Sequence, residues 1–172
     1  MPTYGAPSVM FVKGKGTELW DQSDNRYLDF VGGLAVQSLG HANPEIAEVL
    51  ANQASKLTQV SNYWATEHAH HVAIQLDKAI TGRLKNPKGE TYTPLGQVFF
   101  CNSGAEANEL AFKIARKTAS KDSYGVITAL DSFHGRTLAA LAACGQPQKH
   151  EPFAPMPAGF SHIERDNLSD LD

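Results

Sequence analysis

Cysteine is scarce in this chain: Cys101 and Cys144 are the only two among 172 residues. They are too few for a disulfide framework and too widely spaced for a zinc-ligand pair, which suits a reducing compartment. A surplus of one charge is also missing. Fifteen Lys+Arg against eighteen Asp+Glu leave a formal net charge of −3, so no strong field draws in nucleic acid or anionic lipid. No apolar run approaches the roughly 18 residues that span a bilayer, and Met1-Pro2-Thr3-Tyr4-Gly5 lacks the basic and apolar character of a leader. These absences argue for a cytoplasmic chain with no structural metal, no nucleic acid and no membrane partner. What is present is ordinary: 42% hydrophobic and 19% charged residues describe a globular composition and exclude a disordered or collagen-like polymer. At about 150 residues per domain, the length allows one ordinary domain.

Along the chain, residues 9–12 and 18–20 read as short strands, and Asp21-Gln22-Ser23-Asp24-Asn25 is a turn cluster before Tyr27-Leu28-Asp29-Phe30, so a small antiparallel meander is expected. Gly32-Gly33 opens a flexible stretch to Gly40-His41, where His41 ends a structural turn. Asn43-Pro44-Glu45 then supplies a cap, a first-turn proline and a first-turn acid. Ile46, Val49, Leu50, Ala54 and Leu57 follow at helical spacing, giving an apolar face whose expected partner is the next helix. That helix starts near Thr66-Glu67, lines up Ala69, Val72, Ala73, Leu76 and Ile80, and stops at Gly82. Trp20 and Trp64 read as packing anchors.

Residues 84–96 hold two Pro and two Gly without any period and mark the expected internal boundary. Beyond it, residues 97–101 (Gln-Val-Phe-Phe-Cys) look like a buried strand with Cys101 as a small buried residue, Ser103 to about Thr118 like a helix, and residues 124–130 like a second strand. Strand, helix, strand is the pattern of a parallel α/β sheet. Asp131-Ser132-Phe133-His134-Gly135-Arg136-Thr137 follows at the carboxyl end of the second strand, where open α/β sheets bind ligands. The tail from Glu151 is Pro-rich and reads as irregular.

Two segments carry chemistry. In Asn102-Ser103-Gly104-Ala105-Glu106, a strand runs into a helix whose first N–H groups and dipole favour an anion such as phosphate, and Gly104 lets a ligand approach the backbone. The plainer alternative is a capping box, Ser103 capping and Glu106 returning the bond. In 132–137, Phe133 offers a ring-stacking surface and Arg136 a two-bond carboxylate clamp; the alternative is a core Phe133 and a solvated Arg136. His134 either contacts the cofactor region or supports the loop. Taken together, the two segments ask for a planar, phosphorylated cofactor and a carboxylate substrate. His68 and His71, three apart on a helix, also suit a metal, but no third ligand is marked by spacing and an exposed helix face explains them.

Phe99-Phe100-Cys101-Asn102-Ser103-Gly104-Ala105-Glu106-Ala107-Asn108-Glu109, with Ala111-Phe112-Lys113-Ile114-Ala115-Arg116 and then Phe133-His134-Gly135-Arg136-Thr137, resembles the class III pyridoxal-phosphate (PLP) aminotransferases. Leu19-Trp20-Asp21, Gly32-Gly33-Leu34-Ala35-Val36, Leu39-Gly40-His41 and Val60-Ser61-Asn62 extend the likeness toward the start of the chain, and within the class it is nearest the acetylornithine subfamily. The resemblance implies an α/β chain forming the N-terminal part of PLP-dependent transferase fold type I. Residues 1–83 would be a small-domain segment and helical unit, 84–96 a loop, and 97–172 the start of the PLP-binding large domain. It further implies that Ser103, Gly104 and Ala105 hold the PLP phosphate, Phe133 stacks on the pyridine ring, and Arg136 binds the substrate α-carboxylate. The implied reaction passes the δ-amino group of N-acetylornithine to 2-oxoglutarate, in a cytoplasmic homodimer whose active sites lie near 32–41 and 61–63.

The family's Schiff-base lysine and its Asp partner for the pyridine nitrogen belong to the second half of its chain. None of the ten lysines here stands in the matching motif. The resemblance therefore leads us to expect an inactive isolated chain with unpaired strand edges. Ornithine, succinylornithine and 4-aminobutyrate aminotransferases would share Gly104, Phe133 and Arg136 and are alternatives, as is a non-catalytic truncated chain that binds a partner through its free edges.

Overall fold

The computed structural model describes residues 4–82, 88–90, 96–167 and 169. The chain divides into two units, Met1–His71 and Val72–Asp172. The expected boundary loop at 84–96 lies largely outside the described residues.

The first unit opens with the antiparallel meander. Strands β1 (Phe11–Lys15), β2 (Glu18–Asp21) and β3 (Arg26–Leu28) pair in the order β1-β2-β3, with β1 two residues later than the apolar pattern indicated. Asp21 builds the β2–β3 turn: its carboxylate accepts the Ser23 and Asn25 N–H groups at 2.9 Å each, the Asn25 amide at 3.0 Å and the Tyr27 hydroxyl at 3.0 Å. These donors, the Asn25 side chain foremost, hold its pKa below the ordinary value of 3.8. Downstream, a single turn α1 (Gly32–Ala35) contains left-handed residues, with φ of 62° at Leu34 and 63° at Ala35. Asp29 anchors it, one carboxylate oxygen accepting the Val31 and Gly32 N–H groups at 3.0 and 2.8 Å while the other meets His41 Nε2 at 2.6 Å. His41 thus ends the turn as expected and also bridges to Gly16. Gly40 comes so close there that a Cβ would stand 3.0 Å from the Gly16 Cα.

Helix α2 (Pro44–Ala54) begins as the sequence dictates, with Asn43 Oδ1 accepting the Glu45 and Ile46 N–H groups. Helix α3 (Glu67–Thr81) crosses the division between the units. On the α2 face expected to pack on the next helix, Ile46, Val49, Leu50 and Leu57 are all exposed. The start of α3 meets α2 through a hydrogen bond between His68 Nε2 and Gln53 Oε1 (3.0 Å), while Val49 and Leu50 stay 65% and 64% exposed. The periodicity identifies a face built for burial but does not name what buries it. Trp64, expected as an anchor, is 73% exposed.

In the second unit, α4 (Gly104–Thr118), β4 (Val126–Ala129), α5 (Leu138–Ala142) and β5 (Phe160–Ile163) form the framework. Residues 97–101 do not form the expected strand: among the described residues no strand offers them a ladder, and Phe99, Phe100 and Cys101 are exposed. The parallel pair is instead β4 with β5, in register from Val126↔Phe160 to Ala129↔Ile163, so the tail read as irregular supplies a strand. Helix α4 reaches β5 through the edge-on Phe112–Phe160 pair (5.3 Å) and through Arg116, which lies over the Phe160 ring. The buried apolar residues among those described are Ala140, Leu141, Ala142, Ala143 and Cys144, tied to the sheet by Thr128 Oγ1 on Ala143 O (2.7 Å) and by a Leu130–Gly145 bridge. Among the described residues no helix is long and apolar enough to cross a membrane.

Candidate functional site

Helix α4 starts with the capping arrangement that the sequence allowed. Ser103 Oγ accepts the Glu106 N–H at 3.2 Å, and Glu106 Oε2 returns to the Asn102 N–H at 2.5 Å, one residue before the usual partner. This engages Asn102 and Glu106 and leaves the Gly104 and Ala105 N–H groups, which have no carbonyl four residues back within the helix, without an acceptor among the described residues, at its positive end. The Ser103 hydroxyl proton is likewise still available to an acceptor. Where a Cβ on Gly104 would project there is nothing within 4 Å. Capping and anion binding are therefore compatible here: the side chains secure the turn and Gly104 is exposed.

The loop after β4 approaches this same turn. Gly135, at φ +136°, presses on the helix so closely that a Cβ would stand 2.6 Å from the Ala105 Cβ and 2.9 Å from its Cα. Only glycine fits both that conformation and that contact. Further bonds hold the loop: Asn108 Nδ2 donates to His134 O at 2.6 Å, the His134 N–H meets Cys144 Sγ at 3.2 Å, and Gln146 Nε2 reaches Ser132 O at 3.1 Å. At its far end, Glu109 Oε1 accepts the Thr137 hydroxyl at 2.5 Å and the Ala140 N–H at 3.2 Å.

Phe133, offered above as either a stacking or a core residue, is 61% exposed. The Arg136 guanidinium carbon stands 5.2 Å from its ring centroid, and among the described residues the cation has no carboxylate partner. An exposed aromatic face beside an uncompensated guanidinium suits a planar ring carrying an anionic neighbour. His134 supports the loop through its backbone, its ring meeting Ser132 Oγ at 3.4 Å. Ser103, Gly104 and Ala105 form the helix start, and Gly135 joins them to the loop of Phe133 and Arg136. The residues that lock this junction, Asn108, Glu109, Thr137 and Cys144, had no assigned role in the sequence reading, because spacing along the chain does not show bonds between residues 26 and 28 apart. A glycine between His134 and Arg136 was the visible signal of a close approach.

An open backbone cradle, an exposed ring and a free guanidinium fit a phosphorylated planar cofactor. Residues 2–170 match the family described as Aminotransferase class-III. The chain is 45% identical over 176 residues to the acetylornithine aminotransferase of Caldanaerobacter subterraneus subsp. tengcongensis, covering 99% of this chain and 41% of that protein. The ornithine aminotransferase of Toxoplasma gondii, in crystals described as having partial occupancy of PLP at the active site, superposes with a TM-score of 0.81 at 30% identity, covering 98% of this chain and 38% of that one. The N-acetylornithine aminotransferase of Stenotrophomonas maltophilia K279a gives a TM-score of 0.69 at 31% identity, over 98% of this chain and 38% of its own. This chain thus spans about two-fifths of the length of the curated relatives it matches.

Proposed function

Because the chain belongs to the class-III aminotransferase family, we propose that it provides the cofactor-phosphate, ring-stacking and carboxylate-binding part of a PLP-dependent transaminase. The proposed reaction takes the δ-amino group from N-acetylornithine to 2-oxoglutarate. The observation that carries the proposal is the seating of Gly135 on Ala105, which brings the helix start and the Phe133–Arg136 loop together. The Gly104 and Ala105 N–H groups, with the Ser103 hydroxyl, would hold the PLP phosphate. Phe133 would lie on the ring and keep water from that face. Arg136 would take the substrate α-carboxylate in two parallel hydrogen bonds and so orient the substrate. When bound, PLP supplies an electron sink and carries the amino group between the two half-reactions. The choice of donor rests on the 45% identity to an acetylornithine aminotransferase.

The proposal includes a cytoplasmic homodimer. Large apolar and aromatic groups of segments 32–41 and 61–63 are exposed, 86% at Leu34 and 93% at Tyr63, surface that a second copy would cover.

The direct test is a chimera in which residues 1–172 replace the matching segment of the Caldanaerobacter enzyme, whose own remaining residues complete the chain. The expected result is PLP binding, with glutamate formed from 2-oxoglutarate faster with N-acetylornithine than with ornithine, N-succinylornithine or 4-aminobutyrate. A folded chimera that binds no PLP would overturn the cofactor reading; preference for ornithine would retain the site and change the donor.

A further inference from the structure

We infer that Asn108 and Glu109 are a positioning pair that sets the carboxylate clamp relative to the phosphate-binding turn. The inference rests on the proposed function for what the site binds and on the geometry for how it is held. The two residues are neighbours in the second turn of α4, whose first turn carries the free Gly104 and Ala105 N–H groups. They grip the loop at two places. Asn108 Nδ2 donates to the carbonyl of His134, next to Phe133, and Glu109 Oε1 accepts from the Thr137 hydroxyl, next to Arg136. Only Gly135 and Arg136 lie between the two attachment points, and Gly135 is itself seated on Ala105.

The second grip replaces an ordinary cap. Thr137 is the N-cap of α5, yet its side chain makes no capping bond to its own helix. Its hydroxyl goes to Glu109, and the same carboxylate oxygen takes the Ala140 N–H that a capping side chain normally satisfies. Glu109 therefore caps α5 from another helix, which fixes the direction in which the chain leaves Arg136. Its carboxylate is engaged in that role, and Arg136 keeps its charge for a substrate. Cys144 completes the support, its sulfur meeting the His134 N–H at 3.2 Å and the Ala140 carbonyl at 3.2 Å.

A merely structural pair, once the variant is folded, would leave substrate affinities untouched. A positioning pair shifts them selectively, because phosphate and carboxylate contacts must be satisfied by one molecule at a fixed separation. In the chimera, Glu109→Ala and Thr137→Val are expected to raise KM for both N-acetylornithine and 2-oxoglutarate about tenfold, the cost of one charge-assisted hydrogen bond. PLP affinity should stay within about threefold, the helix start being intact. The double variant should be no worse than the worse single one, since both remove the same tether. Glu109→Gln keeps a carbonyl acceptor and should recover most of the loss. Asn108→Leu should instead alter the absorbance and circular dichroism of bound PLP, because it frees the Phe133 side.

Amide hydrogen exchange gives a readout that needs no cofactor. Residues 135–140 should exchange faster in Glu109→Ala and Thr137→Val, with α4 and β4 unchanged. Thr137→Val removes a single hydroxyl and serves if Glu109→Ala does not fold. Unchanged KM values in active variants, or unchanged exchange at 135–140, would overturn the inference. An unsubstituted chimera that neither binds PLP nor transaminates would instead remove the functional reading, and the exchange measurement would still decide the tether.

Discussion

Gly135 rests on Ala105 with no room for a side chain between them, a Cβ at Gly135 falling 2.6 Å from the Ala105 Cβ. Neither neighbouring atom belongs to the end of a flexible side chain, so the contact can be relieved only by moving the loop off the helix. Gly135→Ala should therefore cost about 1–3 kcal/mol from overpacking, with a further penalty because φ is +136°. Denaturant unfolding of the chimera measures the first effect. PLP titration measures the consequence, weaker cofactor binding as the Phe133 loop lifts from the phosphate turn. Ala105→Gly in the Gly135→Ala background should restore part of both, because it removes the nearest of the colliding atoms.

At Ser103 the structural and ligand-binding roles coincide and can be separated. Its Oγ accepts the Glu106 N–H at 3.2 Å, so Ser103→Ala should destabilise by about 1 kcal/mol, the usual worth of an N-cap. Ser103→Asp preserves the cap and places a negative charge where the phosphate would sit. The alanine variant should lose stability and a modest amount of PLP affinity. The aspartate variant should keep its stability and lose PLP binding by far more. Equal PLP affinity in the two variants would remove the phosphate from this helix start.

These two positions show what the sequence made legible. The Ser-Gly-Ala-Glu start, the Asn43 cap and the meander follow from local rules; the first two are found where those rules place them, and the meander forms with its first strand shifted by two residues. Residues 97–101 had the composition of a buried strand, but a strand exists only with a partner, and none pairs with it among the described residues. For the same reason β5 was hidden in a Pro-rich tail: residues 160–163 become a strand by pairing with β4. At the site, residue types announced the chemistry, whereas the grip of Asn108 and Glu109 on the loop is a long-range fact without local signature. Cys101, expected as a small buried residue, and Cys144 differ for a related reason. The first lies on an unpaired segment and is exposed, and the second is buried under the loop.

Arg136 has no carboxylate partner among the described residues and lies 5.2 Å from the Phe133 ring, so its affinity for an external carboxylate is not spent inside the chain. In the chimera, Arg136→Lys should raise KM for 2-oxoglutarate about 10- to 100-fold, as a point charge replaces a two-bond fork, while PLP affinity changes little. Phe133→Leu keeps an apolar loop but loses the flat ring and should show the opposite pattern, weaker PLP binding with a smaller change in KM. If the two variants alter the same parameter, the division of roles between ring and cation is wrong.

The two units should fail at different pH on acidification. In the second unit, His162 on β5 meets Thr128 Oγ1 at 2.9 Å, and its ring lies 5.9 Å from that of His150. Burial, followed by the nearby His150 and His134, holds its pKa below the ordinary 6.5. The native state then binds fewer protons than the unfolded chain, so the contribution of His162 is complete above 6.5 and is lost as pH falls from there through the lowered value. In the first unit, Asp29 is held below 3.8 mainly by His41 and then by the Gly32 N–H, and Asp21 by the donors of its turn. Their contribution is complete above 3.8 and fades only as pH drops through their lowered values. Amide protection, corrected for intrinsic exchange, should therefore weaken in β4 and β5 as pH falls below 6.5, while the meander and the Val31 and Gly32 amides hold until pH is below 3.8. His162→Asn, which removes the titrating ring, should carry the protection of β4 and β5 to lower pH. Simultaneous loss of protection in both units would contradict this assignment, because the two sets of groups titrate in different ranges.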